Sequence, residues 1–535
     1  MSLRPRAHWW GASLTCLLLA VLHTWPLATA PHRLARHDNA DVMLNEWIIA
    51  WVQHQLPRDP LRLFEANIFY PAHDTLALSE PLIVPALLGA PVRSLGGSPV
   101  LVHNVLVIAG LALTALAAYA LIHAWTGDQL ASLVGASAFA FNAHLLLRTT
   151  HLQALHAYGL PLALLAADRL VISQRARDAG WLAFWLIVLA YTSVYFAIFA
   201  IVASVIAILA RYRDWVGRWR IALPCFGVAA VLSGVVVMPL AVPYRRVAIE
   251  QGMVRSLDNV RDFSTTVGAY LTPGGRFSEL ESFFPGIAVL LLSIAAVVLV
   301  WRGETTDTPA RRRVMMLAAI GLAGFVLSLG TNTPIYGWLY NVFPPLSGIR
   351  VAARFAILFL LAVAVLAGMG ASRLRRSGAF GRWSTGAMIA GLVVVNAEAM
   401  RAPFEYRSFE GIPNLYSILA REPGRVVLVE QPFYPPEGIF ENAEYVLNST
   451  AHWRPLMNGY SGFIPQSYRE YAKTFWFFPR EHAIDAMRRA GVSHVIVHAK
   501  RFGADAADVE EALQKSPYFE RIAVGSQGIA LYRLH

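Results

Sequence analysis

The residues of this chain that could do chemistry are a small set of carboxylates, arginines and histidines scattered among long apolar runs. Asp38 and Asp41 lie at the start of DVMLNEWIIAWVQHQL, in which Leu44, Trp47, Ile48 and Trp51 recur on one face of a helix. A carboxylate at a helix start can cap free N–H groups. It can also serve as a general base or metal ligand held at a fixed depth beside lipid head groups. The helix itself, with two tryptophans on its apolar side, suits a membrane interface. Glu80 directly precedes the proline-rich apolar segment 81–95, and Glu279 and Glu281 precede FFPG at the mouth of another apolar run. These three are candidates for lining a site, and the other loop carboxylates, Asp74 among them, read as solvated.

The segment RTTHLQALHAYG offers Arg148, His151, Gln153 and His156 but no acid. His151 is a candidate proton carrier or phosphate partner, with plain interfacial solvation as the alternative. Arg350 and Arg354 are four apart, at the entry to an apolar run. Arginines at such a depth need anionic partners. A phosphate or pyrophosphate suits the guanidinium fork, and snorkelling to the interface is the alternative. Arg454, Asn458, Tyr460 and Tyr468 fall in a polar and aromatic segment that could bind carbohydrate or pack the C-terminal tail against the rest of the protein. There is no GxxxxGK[ST] loop, GxSxG elbow or dinucleotide fingerprint, so ATP-driven transport and serine hydrolysis lack support.

Apolar helices must position these residues. Of 535 residues, 56% are hydrophobic and 15% charged, against about 25% charged in a soluble chain. That excludes a disordered chain and points to a polytopic membrane protein. Eleven stretches are candidate spans: 9–30, 98–122, 129–147, 155–172, 180–194, 195–210, 221–244, 284–301, 314–330, 353–371 and 384–400. The first, with its basic N-terminus and LATA at 27–30, also resembles a signal peptide, and its length favours a span. The 180–210 pair needs a turn at TSVY, and 81–95 is expected to be interfacial or re-entrant. Net charge is +11 and 42 of the 45 basic residues are Arg. The segments 1–7, 123–128, 173–179, 211–220, 302–313 and 372–383 hold 16 Arg in 54 residues, denser than the longer opposite loops. The positive-inside rule makes this side, and the N-terminus, cytoplasmic. The charge is thus largely a topology signal, and nucleic acid is not expected as a partner. Cys16 and Cys225 lie far apart in apolar runs and read as buried thiols.

After residue 400 the character changes. RVVLV at 425–429, HVIVH at 494–498 and GIALYR at 528–533 read as strands, with helices at 481–490 and 505–515. The expected fold is mainly α: a polytopic transmembrane bundle of about 11 spans over residues 1–400, with a large first outer loop at 31–97. Residues 401–535 are expected to form a small extracytoplasmic α/β domain.

An early Asp in a large first outer loop, followed by NIFYP, LSEPL, RTTHLQ, GIRVAARF and a tail with PLMNGYSGFIP and GVSHVIVH, resembles the GT-C superfamily of integral membrane glycosyltransferases. The resemblance implies transfer of a sugar from a polyprenyl-phosphate donor to an envelope glycan, lipid or protein at the outer face of a bacterial inner membrane. It implies Asp41, with Asp38 second, as the base on the acceptor. Arg350 or Arg354 would hold the lipid phosphate, and Glu80, His151, Gln153 and Glu279 would stand near substrate. Many members carry a second acid in the loop that here reads RTTHLQ, which leaves His151 as the substitute and a divalent metal as an open question. The alternative is a non-enzymatic carrier, flippase or assembly factor for envelope lipids or polymers.

Overall fold

The computed structural model describes the chain except for residues 1–6, 253–255, 274–281, 304–307, 344–345, 347 and 526–527. Glu279 and Glu281 lie outside the described residues. The chain forms two compact units. One comprises Met1–Ala30, Asn104–Leu240 and Val254–Glu405; the other comprises Pro31–His103, Ala241–Met253 and Tyr406–His535. The units do not follow the expected division at 400/401, because the first outer loop groups with the tail.

The first unit is helical, and each of the eleven candidate stretches contains helix. Among the described residues, three helices are long and apolar enough to cross a membrane: Pro99–Thr126, Tyr212–Glu250 and Ala352–Arg376. The 28 residues of Pro99–Thr126 extend ~42 Å. Its start carries proline at the first position, and Ser98 Oγ accepts the Leu101 N–H at 3.2 Å. Ser193, in extended conformation, alone separates Ala176–Thr192 from Val194–Ala210, which supplies the turn expected at TSVY. Ala356–Arg376 is almost wholly buried and packs on Ile287–Arg302, Thr308–Ser328 and Gln129–Ala140. Glycines permit that closeness. A Cβ at Gly135 would come within 2.8 Å of the Ala364 carbonyl oxygen, and one at Gly370 would collide with the Leu292 carbonyl. By contrast, Val231, Val235 and Met238 on Trp219–Glu250 are exposed, as on a lipid-facing helix. Cys16 is buried and Cys225 partly so, and both are free thiols.

Five of the segments expected on the cytoplasmic side are linked to one another. Arg211 pairs with Asp168 and Asp214, Arg312 pairs with Asp214, and Arg313 reaches Asp168 at 2.9 Å. Arg313 also lies over the Trp125 ring at 4.9 Å. Gln174 Nε2 donates to the Asp214 carbonyl at 3.4 Å, and Arg375 bonds Asp128 at 2.8 Å.

The second unit is built on a four-stranded sheet. After the two-residue ribbon of β1 (Leu34–Ala35) with β2 (Arg407–Ser408), the sheet strands are β3 (Leu428–Gln431), β4 (His494–His498), β5 (Phe519–Val524) and β6 (Ile529–Leu534), in the order β3-β4-β6-β5. β3 and β4 are parallel and the other pairs antiparallel. Every residue of β3 and β4 is buried, as in a parallel pair covered on both faces. The first loop closes onto this sheet through its own backbone. Phe69 N–H donates to the Asn458 carbonyl, Tyr70 N–H to Leu456, and Leu456 N–H to Asn67, at 3.1, 3.0 and 2.7 Å. NIFYP and PLMNG are thus partners in space. Residues 83–94 form a 12-residue helix, Ile83–Ser94, only ~18 Å long, which packs on Ala40–Gln55 through a 2.8 Å bond from Gln53 Nε2 to the Ala86 carbonyl.

Candidate functional site

In the second unit, Asp41 stands in the first turn of Ala40–Gln55. Neither Asp38 nor Asp41 caps that helix. The cap is Asn39, whose side chain accepts the Asp41 N–H at 2.9 Å. The Asp41 carboxylate stands at a helix start that favours negative charge. Its Oδ1 accepts a 2.6 Å hydrogen bond from the Tyr460 hydroxyl. Asp38 is committed to Arg36, whose Nε and Nη2 donate at 3.1 and 3.3 Å. Burial works against the Asp38 charge, but the Arg36 bond and charge outweigh it and hold the carboxyl below its ordinary range.

The helix is not interfacial in the expected way. Trp47 and Trp51 are buried inside the unit, because each indole N–H finds an acceptor: Asn67 Oδ1 at 3.1 Å and the Leu63 carbonyl at 2.8 Å. A fully buried Glu46 lies further along the same helix, hydrogen-bonded to His37 Nε2 at 2.8 Å. Burial disfavours the charged His37 ring, yet attraction and hydrogen bonding from Glu46, with Glu444 and Asp38 behind it, raise it above its ordinary value. His37, Glu46 and Tyr460 are therefore neighbours in the structure of Asp41's helix start that spacing alone did not pick out. Tyr460 was visible only as part of a polar and aromatic segment.

The rest of that segment is structural. Asn458 is buried, with Oδ1 accepting Glu430 N–H at 2.7 Å and Nδ2 donating to the Glu430 carbonyl at 2.9 Å. Tyr468 is buried and donates to the Tyr434 carbonyl at 2.6 Å. These two side chains bind polypeptide, so the carbohydrate reading fails for them. Asp74 is not solvated: it is buried and pairs with Arg246 at 2.9 Å. Burial first, then Glu65 and Glu250, raises its pKa despite Arg246. Glu80 is half-buried, beside Ser79, whose carbonyl accepts the Tyr244 hydroxyl at 2.5 Å.

In the first unit, Arg350 and Arg354 lie over two different aromatic rings. Arg354 lies over Tyr195 with its guanidinium carbon 5.0 Å from the centroid. The Tyr195 hydroxyl accepts the backbone N–H groups of Arg350 and Val351 at 3.1 and 3.3 Å. The Arg350 guanidinium lies 4.2 Å over Phe263, is exposed, and makes no ion pair among the described residues. Stacking on aromatic faces leaves the N–H edges of a guanidinium free for an anion. Tyr195 and Phe263 pack on a core of Tyr270, Phe283, Val351 and Ala353. His144 meets the same Phe283 ring at 4.8 Å.

His151 and Gln153 belong to this unit and are less exposed than an interfacial loop. Arg148, Thr149, Thr150, Gln153 and His156 are all buried. His151 Nδ1 contacts Thr150 Oγ1 at 3.2 Å, and Gln153 Oε1 has no hydrogen-bond partner among the described residues. No group of three or more His, Cys, Asp or Glu among the described residues is placed to hold a metal ion, so no metal-dependent step is derived.

No family model and no curated protein matches the sequence. Solved structures do. The arabinofuranosyltransferase AftD from Mycobacteria is similar over 100% of this chain and 40% of its own length, at 14% identity and a TM-score of 0.61. This chain therefore spans well under half of that protein. The archaeal oligosaccharyltransferase AglB from Archaeoglobus fulgidus, in complex with an inhibitory peptide and a dolichol-phosphate, is similar over 100% of this chain and 75% of its own, at 14% identity and a TM-score of 0.51. The apo oligosaccharyltransferase of the same organism gives 97% and 73%, also at 0.51. This chain shares its fold with these structures.

Proposed function

We propose that this chain, which has the GT-C fold, is a membrane glycosyltransferase that takes its sugar from a polyprenyl-phosphate donor at the outer face of a bacterial inner membrane. The observation that carries the reading is the Asp41 carboxylate, placed in the first turn of its helix and accepting the Tyr460 hydroxyl at 2.6 Å. In the reaction, an acceptor hydroxyl loses its proton to Asp41 as its oxygen bonds to the anomeric carbon. The bond from that carbon to the phosphate oxygen breaks, and polyprenyl phosphate leaves with the bonding pair. In the other unit, Arg350 and Arg354, stacked on Phe263 and Tyr195, have the guanidinium chemistry that suits a lipid phosphate. Asp38, spent on Arg36, has no part in the chemistry. The linked arginine-rich segments described above support a cytoplasmic N-terminus, with the first loop and tail outside.

The test is transfer by purified protein with a panel of polyprenyl-phosphate sugars. Asp41→Asn should lower turnover at least about 100-fold, the usual scale for a lost general base, while insertion and melting temperature stay unchanged. Full activity in that variant removes Asp41 from the mechanism. Head-group movement across vesicles without any sugar transfer would instead identify a carrier or flippase.

A further inference from the structure

At the end of the first unit where the arginine-rich segments meet, a cavity of about 220 Å³ is lined by Trp125, Asp168, Arg169, Ser173, Asp178 and Arg313, among others. That is several times the ~30 Å³ share of one water. The polar groups around it are not equally occupied. Asp168 is neutralised by Arg211 and by Arg313, which donates from Nε and Nη2 at 3.2 and 2.9 Å. Three other groups have work left. Arg169 is exposed and makes no ion pair or hydrogen bond among the described residues. The Trp125 indole N–H is buried and has no acceptor among them. Asp178 accepts one hydrogen bond, from Ser173 Oγ at 2.5 Å, and has no cationic partner among them. Arg169 and Asp178 thus face one cavity with opposite charges and do not pair with each other.

We infer that this cavity binds the head group of a phospholipid carrying a phosphate and a primary ammonium, as in phosphatidylethanolamine. The phosphate takes charge-assisted hydrogen bonds from Arg169 and the neutral N–H of Trp125. The ammonium donates to the Asp178 oxygen that Ser173 does not use. Ile172 at the cavity, with Trp181 and Phe184 on the next helix, is exposed and apolar, a surface suited to acyl chains. Basic pockets between membrane helices on the cytoplasmic side are known places for lipid head groups. Here the unpaired carboxylate adds the feature that separates an ethanolamine lipid from an anionic or quaternary one. A choline head group has no N–H to donate, and a glycerol head group brings no positive charge. The site is independent of the transfer reaction, since it uses none of the residues placed in it.

The experiment uses the full chain in nanodiscs made with equal fractions of phosphatidylethanolamine, phosphatidylcholine and phosphatidylglycerol, followed by extraction and native mass spectrometry of retained lipid. Wild type should retain phosphatidylethanolamine over the other two. Arg169→Gln should cut that retention about tenfold, the equivalent of ~1.4 kcal/mol, and Arg169→Lys should cut it less. Asp178→Asn should abolish the preference over phosphatidylglycerol while leaving phosphate-dependent retention. Asp41→Asn should retain lipid like wild type. Equal retention of the three lipids by wild type, or an unchanged preference in both Arg169→Gln and Asp178→Asn, overturns the inference. So does displacement by free O-phosphoethanolamine at concentrations equal to the lipid, because that would make the occupant a soluble molecule.

Discussion

The protonation of single side chains in the second unit sets its response to acid. His452 is buried, and its Nδ1 accepts the Arg454 N–H at 2.9 Å, a bond that a protonated ring cannot accept. Burial first, and then the Arg454 charge, lowers its pKa from 6.5 to about 3. Burial likewise lowers His54 to about 4, helped by Arg58 and Arg93. A histidine held neutral in the fold contributes stability in full above its unfolded value, and that contribution is lost as pH falls toward the folded one. His37, raised by Glu46, has the opposite sign: its share is full below 6.5 and is lost as pH rises through the folded value. His494 is lowered too, by burial and then the Arg533 and Arg454 charges, against the pull of Glu422, and three lowered histidines against one raised predict a melting temperature that falls between pH 6.5 and pH 4, read by tryptophan fluorescence of the detergent-solubilised protein. His452→Gln should flatten this acid limb while lowering stability at neutral pH, because the bond to Arg454 is lost. An unchanged limb in that variant would assign the acid response elsewhere. Which carboxylates stood ready was only half legible in the sequence. The position of Asp41 at a helix start could be read from periodicity, but its partner Tyr460 is 419 residues away. That Asp38 is held by Arg36 depends on a side-chain arrangement that spacing does not specify.

At the scale of elements, apolar length was the readable quantity and partner choice was not. Each of the eleven stretches contains helix, the form in which an apolar run satisfies its own backbone. The strands at 494–498 and 528–533 were legible as β-branched runs between helices. β5, FERIAV, escaped notice because its burial is partial and its pattern irregular. The tryptophan-bearing helix was misassigned to the interface for a similar reason: a sequence shows an indole, and the acceptor that lets it be buried comes from residues 63 and 67. Small residues carry a comparable hidden constraint. Gly370→Ala places a Cβ against the Leu292 carbonyl, whereas a Cβ at Gly386, also helical, meets nothing within 4 Å. Overpacking costs about 1–3 kcal/mol, and glycine to alanine in an open helix gains up to about 1 kcal/mol. Gly370→Ala should therefore lower the melting temperature and Gly386→Ala should hold or raise it, measured side by side in the same detergent. Equal shifts would mean that the helix around residue 370 is not tightly packed.

For the whole molecule, the division of labour follows contact more than chain order. A boundary drawn at residue 400 follows the change in composition, whereas the compact unit that contains the tail also contains 31–103. Physical reasons lie in the unit's polar interior. Asn67 receives the Trp47 N–H and donates to Ser449 Oγ and the Arg454 carbonyl at 3.1 and 3.2 Å. A Cβ at Gly459 would press into the Phe69 ring. Neither loop nor tail satisfies these groups alone, and buried polar groups without partners are costly. A chain ending at residue 400 should therefore insert its helices but leave the Ala40–Gln55 helix unprotected, with Trp47 and Trp51 uncovered and Asp41 without Tyr460. Limited proteolysis followed by mass spectrometry should find cuts within 31–97 in the truncated chain and none there in the full one. Sugar transfer should be lost along with that protection. A truncated chain whose first loop resists protease as the full chain does would show that 1–400 folds by itself, as composition alone suggests.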